Sequence, residues 1–238
     1  ASASEHDMDV KLRDWSLQAD GARYTADLPA TDFALSLRFE ETQSVLLQGS
    51  QGLSRKGPEE RQASYYYSQP QLATQGRVQV KGRNFAVTGK AWLDHEWSDE
   101  LLHPSAVGWD WIGMNLDDGG ALTAFRLRDK QGHAVWAGGS LRSAAGVLRI
   151  FGAEDIRFEA IRSWTSPLTR TVYPVEWRVI TPLASYTVKA VIDNQELDSR
   201  GSTGSIYWEG LSELADSQGR RVGMGYLEMT GYAQALRL

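Results

Sequence analysis

The sequence predicts an all-β protein. Three observations carry the prediction: apolar residues alternate with polar ones, turn sequences punctuate the alternation, and helix signals are few. Phe33, Leu35, Leu37 and Phe39 alternate with Ala34, Ser36, Arg38 and Glu40, which is the spacing of a half-buried strand. Val175, Trp177 and Val179 repeat it against Glu176 and Arg178, and Tyr186, Val188, Ala190 and Ile192 repeat it once more. Turn chemistry stands at Lys81-Gly82, Asp117-Asp118-Gly119-Gly120, Lys130-Gln131-Gly132, Asp193-Asn194 and Ser217-Gln218-Gly219. The best helix signal, SELAD at 212–216, is long enough only for a loop or one helical turn. The pattern is one of many short antiparallel strands joined by hairpins. The 23 glycines and nine tryptophans suit sharply bent strands carrying large rings, as in sandwiches and barrels.

Composition bounds the function. The 238 residues suffice for two ordinary domains or one large β domain, and 42% apolar content builds a sizeable core. A formal charge of −5 gives no basic field to hold a nucleic-acid backbone or an anionic membrane, so neither is an expected partner. The absence of cysteine removes disulfides, thiol nucleophiles and thiolate metal sites, and leaves the compartment open. No apolar run approaches the roughly 18 residues of a spanning helix, so no transmembrane segment is expected.

Alternation stops at SDELLHPSAV, 98–107, and resumes at Trp109. This places an N-terminal β domain at 1–100 and a C-terminal one at 101–238. The two parts end alike, GKAWLDHEW at 89–97 against GYLEMTGY at 225–232: a glycine, then aromatic-Leu-acid, then a further aromatic. Each follows an aromatic cluster, Tyr65-Tyr66-Tyr67 in one and Tyr207-Trp208 in the other. The likeness favours two related β units.

Candidate chemistry concentrates in WLDHEWS, 92–98, and GWDWIG, 108–113. On a strand, Trp92, Asp94 and Glu96 point one way while Leu93, His95 and Trp97 point the other. Asp110 shares a side with Ile112 and Met114, opposite Trp109 and Trp111. A carboxyl walled by aromatics has a raised pKa and can act as a general acid, which makes Asp94, Asp110 and His95 the catalytic candidates. The competing reading has Asp94, Glu96 and Asp110 binding arginines or backbone amides, with His95 a satisfied core or interface histidine. Trp92, Trp97, Trp109, Trp111, Tyr66, Tyr207 and Trp208 are candidates to line a cavity for an apolar ligand, or equally to fill a barrel interior.

No metal or cofactor is expected. His95 and Glu96 face opposite sides of a strand, and no HxH or HExxH spacing supplies a second imidazole, leaving His103 as the one the fold could bring in. GxSxG, GxGxxG and GxxxxGK[ST] are all missing, so neither an activated serine nor a nucleotide-phosphate cradle is visible.

Taken together, YYYSQPQL (65–72), GKAWLDHEWS (89–98), GWDWIGMNLDDG (108–119), LTAFRLRDKQG (122–132), YWEG (207–210) and GYLEMTGYA (225–233) resemble the AttH-like and carotenoid 1,2-hydratase family, whose members are often labelled secreted hydrolases. The resemblance runs in order from about 65 to the C-terminus. It implies two consecutive lipocalin-like β-barrel domains, an exported or periplasmic protein, and association with an ABC-type export system. Members include hydratases that add water across a terminal isoprenoid double bond, and more distant fungal relatives resemble pericyclases. One fold serving several chemistries leaves the reaction open. The family's EWWY-type opening strand has no counterpart before Tyr65, so the first barrel is expected without its front strands. Where the hydratase branch carries a Tyr-x-Asp acid, this chain has Phe125-Arg126-Leu127, which cannot protonate an alkene.

The expectation is therefore a lipocalin-like protein binding an apolar small molecule, lipid or isoprenoid-like, in a barrel or interdomain pocket. The alternative is a hydratase or isomerase acting on an isoprenoid-like alkene by acid–base catalysis, and a secreted hydrolase comes third. A purely structural role for WLDHEWS and GWDW, as a joint of stacked indoles and ion pairs, stands beside them.

Overall fold

A computed structural model describes residues 1–99 and 102–236, all of it strand, turn and loop. Glu100 and Leu101, inside the expected boundary segment at 98–107, lie outside the described residues. The chain forms two compact units that are not contiguous in sequence. One holds 1–45 and 69–93, the other 46–68 and 94–238.

Nine strands precede the boundary segment: β1 (Ser2–Ala3), β2 (Asp9–Leu12), β3 (Trp15–Asp20), β4 (Arg23–Pro29), β5 (Phe33–Glu40), β6 (Leu46–Leu47), β7 (Leu53–Arg55), β8 (Ala63–Val80) and β9 (Arg83–Trp97). In the first unit β1 to β5 form an antiparallel meander, and β5 then pairs with the second half of β8, Phe33 opposite Val80 and Glu40 opposite Ala73. Lys81-Gly82, both at positive φ, turns β8 back into β9, as its turn chemistry predicts. Along β5 the alternation places Leu35, Leu37 and Phe39 half-buried while Ser36, Arg38 and Glu40 are exposed.

Ten strands follow: β10 (Gly108–Leu116), β11 (Ala121–Arg128), β12 (Ala134–Arg142), β13 (Leu148–Phe151), β14 (Arg157–Thr165), β15 (Val172–Ile180), β16 (Ser185–Ala190), β17 (Glu196–Ser199), β18 (Ser205–Ala215) and β19 (Arg221–Met229). They make one antiparallel sheet, in the order β13-β12-β11-β10-β19-β18-β16-β15-β14, with β17 on β18. SELAD is not helical: Ser212 to Ala215 complete β18, because Ser212 and Leu214 are buried while Glu213 is exposed, a period of two that a helical turn would break. β10 and β19 approach so closely that a Cβ on Gly225 would stand 1.9 Å from the Gly113 carbonyl oxygen. Only glycine fits there.

The inward face of this sheet is filled. Ile112, Met114, Leu122, Tyr173, Trp177 and Trp208 are buried in one cluster, and Phe158 meets Trp177 edge-on at 5.8 Å. At about 1.5–3 kcal/mol for each large side chain taken out of water, this core is the main source of the unit's stability.

Candidate functional site

Strand periodicity sorts Asp94, His95, Glu96 and Trp97 onto two faces of the second unit. On the first face, Asp94 Oδ1 accepts hydrogen bonds from Ser68 Oγ at 2.6 Å and Tyr66 OH at 2.9 Å, and Trp111 Nε1 donates to Tyr66 OH at 3.2 Å. Ser64 Oγ donates to Glu96, whose Oε1 also lies 2.7 Å from Lys56 Nζ. Lys56 is buried, its ammonium 4.9 Å from the centre of the Tyr66 ring and 4.3 Å from that of Phe125. Cation–π contact and the Glu96 ion pair together offset the cost of burying that charge.

The segment before β8 is locked over the same face by a buried amide. Gln48 Nε2 donates to Ser68 Oγ at 2.9 Å and Thr123 Oγ1 at 3.0 Å, while Ser140 Oγ donates to Gln48 Oε1 at 2.8 Å. A hydrogen-bonded run thus connects Ser140 through Gln48 and Ser68 to the Asp94 carboxylate.

Two further acids complete the face. Glu228 on β19 stands opposite both Trp111 on β10 and Glu209 on β18, and its Oε2 accepts from Trp109 Nε1 at 3.0 Å. Burial pushes the Glu228 carboxyl up to about 7; the Trp109 bond pulls the other way, and repulsion from Glu209, Asp94 and Glu96 adds to the rise. Burial and then the Asp94 charge raise Glu209, and burial followed by Asp94 and Glu96 raises the Tyr66 phenol. A half-buried carboxyl pushed up to about 7 by burial and by neighbouring acids is placed to hold and release a proton near neutrality.

The opposite face is aromatic and bare. Tyr65 stacks on Trp97 at 5.5 Å, His95 lies 5.0 Å from Trp97, and Tyr67 meets His95 at 5.2 Å. Tyr67 OH and His95 Nδ1 are 3.0 Å apart. Leu53 and Leu47 sit in register with Tyr65 and Tyr67 and extend the patch. Trp97 is 51% exposed and Tyr65 58%, well beyond what a ring in a packed joint shows.

Asp110 belongs to neither face. It is wholly buried on the inward side of β10, 2.7 Å from Arg126 Nε and 3.3 Å from Arg128 Nε, and accepts from Tyr232 OH at 2.8 Å. The three sequence-predicted catalytic residues are therefore not brought together: Asp94 and His95 lie back to back across one strand, and Asp110 is held between two arginines. Of the ligand-binding candidates, Tyr66, Trp109 and Trp111 line the acid face and Trp97 the aromatic one. Trp208 is fully buried in the core, its Nε1 donating to Asp193 O at 2.7 Å. Tyr207 is half-buried on the outer side of β18, opposite Leu197, and Trp92 is half-buried in the first unit. His103 bonds to Ser105 Oγ at 2.7 Å. Among the described residues no group of three or more His, Asp or Glu side chains is placed to hold a metal ion, and no helix is long and apolar enough to cross a membrane.

Sequence reasoning missed Glu228, Glu209 and Lys56. For Glu228 the signal was present: Tyr226-Leu227-Glu228 repeats Trp92-Leu93-Asp94, and both acids face Tyr66's neighbourhood.

Two antiparallel sheets, with no helix among the described residues and the second wrapped around an aromatic core, define a lipocalin-like β protein with a carboxylate-rich and an aromatic face. The chain belongs to the AttH-like family, whose model matches residues 1–232. It is 46% identical to a Nitrosomonas europaea protein of known crystal structure given the provisional label AttH, with a TM-score of 0.92 over 97% of this chain and 72% of that one. Kievitone hydratase from Nectria haematococca shares the fold at 17% identity and a TM-score of 0.79, over 98% of this chain and 74% of the other. CghA does so at 12% and 0.57, over 94% and 68%. No curated protein sequence matches the chain.

Proposed function

We propose that the protein binds an apolar small molecule, lipid- or isoprenoid-like, on the aromatic face of Tyr65, Tyr67, His95 and Trp97. The exposure of this ladder, flanked by Leu47 and Leu53, carries the reading: contiguous bare aromatic surface is costly in water and marks a binding surface. The core of the second unit is filled by its own side chains, which supports a ligand on this face rather than inside the sheet. His95 supplies the polar contact. Its Nδ1 is engaged by Tyr67 OH, and its Nε2 makes no hydrogen bond among the described residues, free to meet a hydroxyl or carboxyl end. An exported or periplasmic location and service to an ABC-type export system belong to this proposal on the family resemblance, and cell fractionation tests them.

Titration of the protein with geranylgeraniol, followed by tryptophan fluorescence, should give saturable binding that Trp97→Ala weakens at least about tenfold, the equivalent of roughly 1.4 kcal/mol. Unchanged affinity in Trp97→Ala and Tyr65→Ala would dispose of the idea.

A second reading, hydration or isomerisation of an isoprenoid-like alkene, is favoured by one observation: Glu228 holds a proton near neutrality beside Asp94 and Tyr66. Glu228 would give that proton to an alkene carbon, water would add to the cation, and a neighbouring carboxylate would take the proton water releases and return it to Glu228, restoring the acid. Kinship of fold with kievitone hydratase supports it. Turnover surviving in Glu228→Gln would exclude it. Ester hydrolysis has less support, since Ser64 and Ser68 donate to carboxylates with no imidazole in line.

A further inference from the structure

Away from both faces, the second unit carries an open depression of about 480 Å³ lined by Arg128, Lys130, Gln131, Tyr232, Val107 and Ala235, among others. We propose that it is a binding site for a small molecule bearing a carboxylate or phosphate group, with Arg128 and Lys130 as the anion-binding pair and the Tyr232 ring beside them.

Arg128 lines the depression. Its side chain is only 6% exposed, which is unusual for a cation unless every donor is matched. Nε faces Asp110, Nη2 donates to the Thr230 carbonyl, and the guanidinium lies 3.7 Å over the centre of the Tyr232 ring. Nη1 makes no hydrogen bond among the described residues, and it is not one of the sealed, unpartnered polar atoms of the protein. A guanidinium with one donor in reserve at the wall of a depression calls for an acceptor from outside.

Charge points the same way. Among the described residues no carboxylate lines the depression, although the chain as a whole is acidic. Asp110, behind Arg128, is shared with Arg126 at 2.7 Å, so that trio keeps one positive charge in excess. Asp129, in the adjoining turn, is occupied by its own turn, Oδ1 accepting from the Gln131 and His133 amides and Oδ2 lying 3.3 Å from His133 Nδ1. Lys130 is exposed and makes no ion pair among the described residues. Arg126, Arg128 and Lys130 against Asp110 and Asp129 leave the local balance one charge positive. Arginine offers a planar, directional contact and lysine a mobile point charge, the combination that suits an oxyanion on a small organic body lying against Tyr232, Val107 and Ala235.

The test follows backbone amide shifts of the full chain during titration with inorganic phosphate, phenyl phosphate and benzoate. Saturable shifts confined to 129–132 and 231–235 are expected, weakening about tenfold in Lys130→Ala and further at raised ionic strength. Tighter binding of phenyl phosphate or of benzoate tells which oxyanion the site prefers, and either outcome upholds it. Lys130 is exposed, so its replacement leaves the unfolding midpoint in place, and loss of binding in that variant cannot be ascribed to misfolding. Shifts that do not saturate in the millimolar range for any probe, or affinities that Lys130→Ala leaves unaltered, would overturn the proposal.

Discussion

The two units are made from the same strand pattern and end with different interiors. In the second, Ile112, Met114, Trp177, Val179, Val188 and Trp208 are sealed in one cluster. In the first, the equivalent positions of β5, Leu35, Leu37 and Phe39, are half-buried, and the sealed apolar residues described are Tyr24, Ala26 and Leu72. Alternation therefore reports which side chains share a face; it does not report whether that face is covered. A stable core needs coverage, so the second unit should dominate the stability of the chain.

One substitution in each unit tests this difference. Asp110→Ala leaves Arg126 and Arg128 buried as unmatched like charges and should cost about 3–5 kcal/mol in denaturant unfolding. Leu37→Ala, at a half-buried position, should cost about 1 kcal/mol or less. Equal losses would mean that the units are not distinct in stability.

Native-state hydrogen exchange sharpens it further. Amides of β3 to β5 should exchange roughly 100-fold faster than those of β10, β11 and β19, through openings smaller than global unfolding. Uniform protection across both units would contradict this.

The third measurement concerns pH and the acid face. Glu228 titrates at about 7 when folded against an ordinary value of 4.5, so the folded state binds the extra proton between those limits. Stability should accordingly fall as pH rises from about 4.5 to about 7, by about 2 kcal/mol after allowance for partial solvation. Glu228→Gln should flatten that slope, read from unfolding midpoints across the window. The first unit offers no counterpart to this group among the shifts resolved.

The smallest effect is expected where function is proposed. Trp97→Ala and Tyr65→Ala remove exposed rings and should move stability by no more than about 0.5 kcal/mol. A larger loss would mean that the aromatic ladder is part of a packed core and not a binding surface.

Much of this was legible in the sequence. The opposition of Asp94 and Glu96 to His95 and Trp97 follows from a period of two, and the structure keeps it. The pairing of Asp110 with arginines was one of two readings the residues allowed, and register decided it: Asp110 lies opposite Arg126 on β11, and Arg128 follows on the same side. The gathering of Glu209 with Glu228 was not legible. It depends on β18, β19 and β10 being neighbours in that order, which local pattern does not specify. The oxyanion depression was equally hidden, since it joins residues a hundred positions apart.

By itself the sequence determined strand, turn and face, because these rest on interactions a few residues long: the pleat, the positive φ of a turn glycine, the solubility of each side chain. Only the tertiary structure decided which faces are covered, which acids repel one another and which strands share a unit. Such outcomes depend on distance in space, where desolvation and Coulomb energy act without regard to separation along the chain.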